Sequence, residues 1–200
     1  MSAATLSPPA VAFSPKTLRW TCDEFHDMGE YGMFEGRCVI LLDGEVLEMP
    51  APNPPHDAVV GMADYVLKGA FSPGYWVRIQ TGLPTGLDTD PVPDLAVVPG
   101  SPKDYLKSFP RKAVLVVEVA DSSLAYDRSL KANLYAAAGV PEYWSLDVNG
   151  RDLKVFRNPI ADSTAPRGFR YATAQTLIPT DSISPVELPH ASIAVADLLP

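Results

Sequence analysis

The sequence predicts a mixed α/β fold of the α+β kind, in which helices flank a central mixed sheet and extra hairpins extend it. Two short runs, residues 95–98 and 113–119, are rich in valine and almost wholly apolar, which is typical of central strands covered on both faces. The dipeptides Asp43-Gly44 and Asn149-Gly150 each lie between two potential strands. Because such dipeptides adopt the positive φ angles of two-residue turns, they predict two hairpins.

Capping residues and apolar spacing predict the other elements. Thr21 and Glu24 match a capping box, so a short helix should begin there and run to about Met28. Apolar residues recur at helical spacing over about 55–70 and 123–138. Further strands or short apolar segments are expected at residues 75–81, 168–174, 183–188 and 193–199.

The composition indicates one folded domain. Of the 200 residues, 46% are hydrophobic and 20% charged, as in an ordinary globular chain. We expect a single domain at residues 16–200 after a disordered arm at 1–15. Because the apolar runs are too short for a membrane span and the N-terminus lacks the pattern of a secretory signal, we expect a cytoplasmic protein without a membrane partner.

The net charge of −8 argues against a broadly basic surface that would coat nucleic acid. Carboxylates that hold a metal ion would contribute to this charge, so a nuclease is not excluded. Any binding of DNA would then depend on a local basic patch or on the metal itself.

Two carboxylates stand out because each adjoins a predicted central strand. Asp94 begins the first valine-rich run, where by itself it could simply cap neighbouring amides. Glu118 lies near the end of the second run. An unpaired charge is costly to bury, so either a cation meets Glu118 or its strand emerges into a polar cleft. Together, Asp94 and Glu118 could share Mg²⁺, which prefers oxygen ligands.

A lysine near such a pair could contact a phosphate or orient water, and Lys131 in the following helix is the candidate. Asp127 precedes it by four residues on the same helical face, where a surface ion pair is an equally simple interpretation. Gln80 could place an amide near the metal, or be an exposed strand residue. His56 could be a ligand, or a structural residue at a helix start.

The chain resembles the Uma-two family of restriction-type endonucleases, a branch of the PD-(D/E)xK nuclease superfamily, from about Thr21 to Asp147. The matching residues are Leu42-Asp43-Gly44-Glu45, His56, Gln80, Pro93-Asp94, Val117-Glu118-Val119, Tyr126-Asp127, Lys131, Tyr135 and Gly139-Val140-Pro141-Glu142-Tyr143-Trp144. The resemblance implies a restriction-endonuclease-like fold with a four-stranded mixed central sheet. It also implies a divalent-metal phosphodiesterase site with Asp94 and Glu118 as ligands.

The chain departs from this family pattern at three places. Ala120 stands where the superfamily's basic pattern has a lysine, so Lys131 from the next helix would take that role. Val39-Ile40-Leu41 replaces the usual Tyr-Glu-Leu, so Glu45 or Glu48 would have to supply any missing carboxylate. Asp121-Ser122 replaces the usual Ser-Pro and places an extra carboxylate close to the site.

These observations favour a metal-dependent endonuclease that hydrolyses DNA with Mg²⁺ or Mn²⁺, using Asp94, Glu118, Lys131 and Gln80. A homodimer would be the simplest way to cut both strands. Two other functions stay open. One is a catalytically inactive module that keeps the fold for binding or regulation, and the other is a hydrolase of small phosphoesters.

Overall fold

The fold is taken from a computed structural model that describes residues 14–200. The expected disordered arm at residues 1–15 lies almost wholly outside the described residues, and the single domain at 16–200 stays a prediction. Among the described residues, no helix is long and apolar enough to cross a membrane.

A six-stranded sheet organises the chain, in the order β3-β4-β5-β6-β7-β8. All neighbouring strands are antiparallel except β5 and β6, which run parallel. The strands are β3 (Tyr75–Ile79), β4 (Leu95–Pro99), β5 (Leu115–Ala120), β6 (Glu142–Asp147), β7 (Asp152–Ala161) and β8 (Phe169–Leu177). The mixed sheet is confirmed, but it has six strands instead of the four that the resemblance implies, since hairpin partners extend it at its edges.

Two short antiparallel pairs lie apart from this sheet. They are β1 (Val39–Leu42) with β2 (Glu45–Glu48), and β9 (Ser182–Ile183) with β10 (Ile193–Ala194). Both predicted hairpins are confirmed, as β1 with β2 and as β6 with β7. Asp43 and Gly44 have the expected positive φ angles, 51° and 75°. The two-residue turn expected at Asn149-Gly150 is wrong, because the four residues 148–151 connect β6 to β7 and the positive φ angle, 52°, is at Arg151.

The helices are α1 (Cys22–Glu30), α2 (Pro54–Phe71), α3 (Leu124–Tyr126) and α4 (Ala132–Ala137). A π-helical turn at Asp127–Lys131 joins α3 to α4, so the helix predicted at 123–138 is present but is not α-helical throughout. This helical segment is the crossover that two parallel strands require between them. The predicted capping box at Thr21 and Glu24 is confirmed.

The central strands β4, β5 and β6 are buried on both faces, as their apolar sequences predict. On one face α2 packs against Leu115, Val117 and Val119 of β5. On the other face Val116 packs in a second core with α4 and the β1 strand. Because side chains alternate along a strand, Glu118 points to the same face as Val116 and meets the helical segment that carries Lys131.

Candidate active site

Asp94 and Glu118 face each other across two neighbouring antiparallel strands. Leu95 of β4 pairs with Val117 of β5, and because the strands are antiparallel, Asp94, just before Leu95, lies beside Glu118, just after Val117. The backbone N–H of Asp94 donates to Oε2 of Glu118 at 3.4 Å. The backbone N–H of Val119 donates to Oδ2 of Asp94 at 2.9 Å. The strand register therefore brings together the two carboxylates that the sequence predicts.

Two further predicted residues contact Asp94. The amide Nε2 of Gln80 donates to Oδ1 at 3.2 Å, and Nε2 of His56 lies 3.1 Å from Oδ2. Burial by itself would raise the pKa of Asp94, but the hydrogen bonds from His56 and Val119 lower it below its usual value. The hydrogen bond to Asp94 in turn raises the pKa of His56. Asp94 is therefore held as a carboxylate with fixed partners.

Glu118 is almost completely buried, with 1% of its surface exposed. The Tyr135 hydroxyl donates to Oε1 at 2.6 Å, and Nζ of Lys131 lies 2.9 Å from Oε2. Burial raises the pKa of Glu118 to about 8, against the opposing effect of the Lys131 charge. A buried carboxylate of this kind favours a proton or a second cation beside it.

Lys131 lies between two carboxylates. Its Nζ is 3.0 Å from Oδ1 of Asp127 as well as 2.9 Å from Glu118. Burial by itself would lower the pKa of Lys131, but these two carboxylates raise it above its usual value. The interpretation of Asp127 and Lys131 as a surface ion pair is wrong, because Asp127 is 0% exposed. The Ser123 hydroxyl also donates to the Asp127 carboxylate.

The face of the helical segment that points to the site has a regular spacing that the sequence reasoning did not use. Ser123, Asp127, Lys131 and Tyr135 recur every four residues, and each contacts another member of this group or Glu118. Residues four apart share a helix face, so this polar stripe was visible in the sequence. The π turn at Asp127–Lys131 was not predicted. Such turns occur frequently at functional sites.

The site opens into a cavity of about 340 Å³. His56, Gln80, Asp94, Glu118 and Lys131 all line it. His56 is held there because Asn53 caps the first turn of α2, its side chain accepting from the His56 backbone N–H at 3.1 Å. The Asn53 amide also donates to Asp121, the extra carboxylate of this chain, at 2.5 Å. Asn53 was not selected from the sequence, although its position before Pro54 is typical of a helix cap.

Glu45 lies apart from this group. It is exposed on β2, where its Oε1 pairs with Arg19 at 3.0 Å, and it is absent from the described lining of the cavity. Glu48 is exposed on the same strand. The structure thus brings together six of the seven predicted site residues, and it leaves the possible substitute carboxylates of the hairpin outside.

The donor set fits a divalent cation of the Mg²⁺ type. Within residues 14–200, no cluster of three or more histidine, cysteine or acidic side chains is arranged as a ready-made metal site. Mg²⁺, however, is usually bound by one or two carboxylates and completes its coordination with water and substrate phosphate. Asp94 and Glu118 supply two such carboxylates beside a cavity that has room for water and a phosphate. A cation there would also offset the charge of the buried Glu118.

Comparison with known proteins identifies a family and similar solved structures. The model of the Uma2 family, described as "Putative restriction endonuclease", matches residues 22–196. A crystal structure from Anabaena variabilis ATCC 29413, described as a "putative nuclease belonging to DUF820", is similar with a TM-score of 0.68 and 16% identity over 90% of this chain and 97% of its own. The type IIG restriction endonuclease BpuSI aligns with 60% of this chain and 14% of its own, at 17% identity and a TM-score of 0.36. None of the curated proteins matches.

Proposed function

The chain belongs to the Uma2 family, and from this premise we propose that it is a metal-dependent endonuclease that hydrolyses DNA phosphodiester bonds with Mg²⁺ or Mn²⁺. The observation that carries the proposal is the buried pair of Asp94 and Glu118, joined by hydrogen bonding across two strands and accompanied by Lys131. Two carboxylates and a lysine beside a cavity are the groups that metal-assisted phosphodiester hydrolysis requires.

The reaction adds water across a P–O bond. A bond forms between phosphorus and the water oxygen, and the bond to the leaving sugar oxygen breaks. The attacking water loses a proton to solvent, and the leaving oxygen takes one from solvent. Asp94 and Glu118 would hold the cation, which lowers the pKa of a bound water and balances the charge that develops on the phosphate.

Lys131 is proposed to contact the phosphate or the attacking water. Its Nζ lies 2.9 Å from Glu118, and residue 120, two residues further along β5, is on the same face of the strand as Glu118. The long lysine side chain can bring its charge to the same place from a helix as from a strand. This contact supports the substitution that the sequence comparison implies.

Several other residues are proposed to position these groups. Asp127 holds the ammonium of Lys131, and it is in turn held by Ser123. Tyr135 donates to Glu118, and Gln80 and His56 fix the orientation of Asp94. Hydrogen-bond partners of this kind orient the ligands of metal sites and affect metal affinity about 10- to 100-fold.

The test is cleavage of plasmid DNA with Mg²⁺ or Mn²⁺ by the wild type and by Asp94→Asn and Glu118→Gln. We expect both variants to lose cleavage while far-ultraviolet circular dichroism shows a retained fold. Glu142→Gln is the matched control, because Glu142 is an equally buried glutamate whose partner is Arg157 instead of the cavity. It should retain cleavage per folded molecule.

This assay and two further measurements distinguish the alternatives. Cleavage that survives both Asp94→Asn and Glu118→Gln would overturn the site. Hydrolysis of bis(4-nitrophenyl) phosphate without cleavage of plasmid or oligonucleotide would indicate a small-phosphoester hydrolase. Absence of Mg²⁺ and Mn²⁺ binding by calorimetry would indicate an inactive module. The proposed homodimer is tested separately by sedimentation equilibrium.

A further inference from the structure

We propose that the apolar part of the catalytic cavity, together with the ring of Tyr126, holds one unpaired base of the substrate strand. This inference rests on the proposed nuclease function and specifies its substrate. The enzyme would then cut single-stranded or locally unpaired nucleic acid in preference to an intact duplex. Four observations support it: the depth of the site, its charge, its apolar wall and the position of Tyr126.

Glu118 and Lys131, which are proposed to act at the phosphate, are largely buried beneath the surface. Glu118 is 1% exposed, and 17% of the Lys131 side chain is exposed. A cavity of about 340 Å³ has the size of a small-molecule site, not of a groove for a nucleic-acid helix. An intact duplex keeps its bases stacked inside a stiff rod. A single strand can instead bend into the cavity and bring a phosphate to its floor.

The cavity lacks the charge that duplex binding requires. Proteins that bind a duplex neutralise several phosphates with lysine and arginine. Among the described residues that line this cavity, Lys131 is the single lysine or arginine, whereas Asp94, Glu118 and Asp121 are acidic. With a bound divalent cation, these four charged side chains suit the binding of one phosphate and its immediate neighbour. They do not suit a long row of phosphates.

An apolar wall forms another part of the lining of the same cavity. It consists of Ile40 and Leu42 of β1, Met49 and Val92, together with the proline-rich segment 50–52. Phosphate and sugar groups gain little from such a wall, because it offers them no hydrogen bonds. A nucleobase has large flat faces that are favourably removed from water. The base is therefore the part of a nucleotide that fits this side of the cavity.

Tyr126 supplies an aromatic ring next to the catalytic groups. The ring lines the cavity and is partly exposed. Nζ of Lys131 lies 5.9 Å from its centroid and 2.9 Å from Glu118. A base stacked on Tyr126 would thus place its own phosphate within reach of Lys131. Stacking on aromatic rings is the usual way in which proteins hold unpaired bases without regard to sequence.

The first experiment compares single-stranded and duplex oligonucleotides of the same sequence, as DNA and as RNA, with wild type and with Tyr126→Ala, Tyr126→Leu and Tyr126→Phe. We expect the wild type to prefer the single strand. Loss of the ring in the first two variants should raise KM for the single strand about 5- to 150-fold, as expected for one lost stacking contact. Tyr126→Phe keeps the ring and should resemble the wild type. Tyr65→Ala is the control, because Tyr65 is 83% exposed on α2 and lies outside the cavity lining.

The second experiment measures binding without cleavage. On a Glu118→Gln background, fluorescence anisotropy compares an intact strand with strands that carry a single abasic residue at successive positions. We expect one abasic position to weaken binding, and we expect this effect to vanish when Tyr126→Ala is added.

The outcomes separate the two ideas. Equal cleavage rates for duplex and single strand would overturn the inference and leave the nuclease proposal intact. The same holds if an abasic residue weakens binding equally with Tyr126 present and with Tyr126→Ala. If no nucleic acid is cleaved at all, the proposed function fails, and the binding experiment still decides whether Tyr126 contacts a base. A preference for single-stranded DNA over single-stranded RNA would support DNA as the substrate, and the reverse would contradict it.

Discussion

Glu118 and Glu142 are both buried glutamates, on the neighbouring parallel strands β5 and β6, yet they have opposite surroundings. Glu142 accepts from Arg157, from the indole N–H of Trp144 and from the backbone N–H of Val186, at 2.6–2.9 Å. All of these donors belong to packed structure. Glu118 has Tyr135 and Lys131 as partners and lies at the floor of a cavity.

The difference shows that burial of a carboxylate does not by itself identify a functional site. Glu142 compensates its charge with Arg157, and nothing further needs to approach it. At the other site Lys131 is shared between Glu118 and Asp127, so two carboxyl groups have one cation between them, and Glu118 favours a proton or a second cation. The adjacent cavity gives a cation access to Glu118. The cavity and the missing second cation distinguish the two glutamates.

The largest expected effect comes from replacing the cationic partner of each glutamate. Lys131→Met should lower kcat for DNA cleavage about 100- to 1,000-fold, as expected when a group that stabilises transition-state charge is removed. Arg157→Met should instead destabilise the fold by about 3–5 kcal/mol, because Glu142 would be left buried without its partner. Single-turnover kinetics and urea unfolding of both variants measure these effects. A loss of kcat per folded molecule in Arg157→Met would contradict the distinction.

The second prediction concerns stability without metal at pH 8. Glu142→Gln should lower the free energy of unfolding by about 3 kcal/mol, because the partly buried Arg157 loses its counter-charge. Glu118→Gln should cost about 1 kcal/mol or less, because Lys131 keeps Asp127 and a desolvated charge is removed. Thermal and urea unfolding of the two variants provide the comparison. Equal destabilisation would mean that Glu118 is a structural ion-pair member like Glu142.

The sequence predicted the surroundings of Glu118 better than those of Glu142. Valine-rich strands, the hairpins at the Asp-Gly and Asn-Gly dipeptides and the capping box depend on local chemistry, and all are present in the fold. The pairing of Asp94 with Glu118 depends on strand register, which the alternating apolar pattern constrains. The partners of Glu142 include Val186, 44 residues away along the chain. No local pattern reports such a contact.

The contacts of Lys131 could be predicted only in part. Its spacing from Asp127 indicated an ion pair, but the depth of that pair depends on how the π turn packs against β6, where the Tyr143 hydroxyl donates to the backbone carbonyl of Asp127 at 3.0 Å. For Glu45 the difficulty was the opposite. A carboxylate beside a turn dipeptide is easily selected from sequence. Ile40 and Leu42 of the paired strand β1 do line the cavity, but the Glu45 side chain is exposed on β2 and pairs with Arg19 instead.

The third prediction extends the comparison to two histidine–aspartate pairs. His56 contacts Asp94 at 3.1 Å inside the cavity, whereas His26 contacts Asp90 at 2.7 Å outside its lining. His56→Gln should weaken Mg²⁺ or Mn²⁺ binding about 10-fold, because the orientation of Asp94 is no longer fixed. His26→Gln should leave metal affinity unchanged. Calorimetric titration of both variants measures the difference, and equal affinities would exclude a positioning role for His56.

The fourth and smallest prediction concerns pH. Because burial raises the pKa of Glu118 from 4.5 to about 8, the folded protein binds a proton more tightly there than the unfolded chain does. The stability that this proton contributes is complete below about pH 4.5 and is lost as the pH rises through about 8. The wild type should therefore lose stability relative to Glu118→Gln between pH 5 and 9 in the absence of metal.

Added Mg²⁺ competes with the proton, so it should stabilise the wild type more at pH 8.5 than at pH 6. Thermal unfolding of both proteins across this range measures the effect, with Glu142→Gln as a control whose difference from the wild type should follow a different pH course. Parallel curves for wild type and Glu118→Gln would show that Glu118 is not the group that links metal, proton and fold.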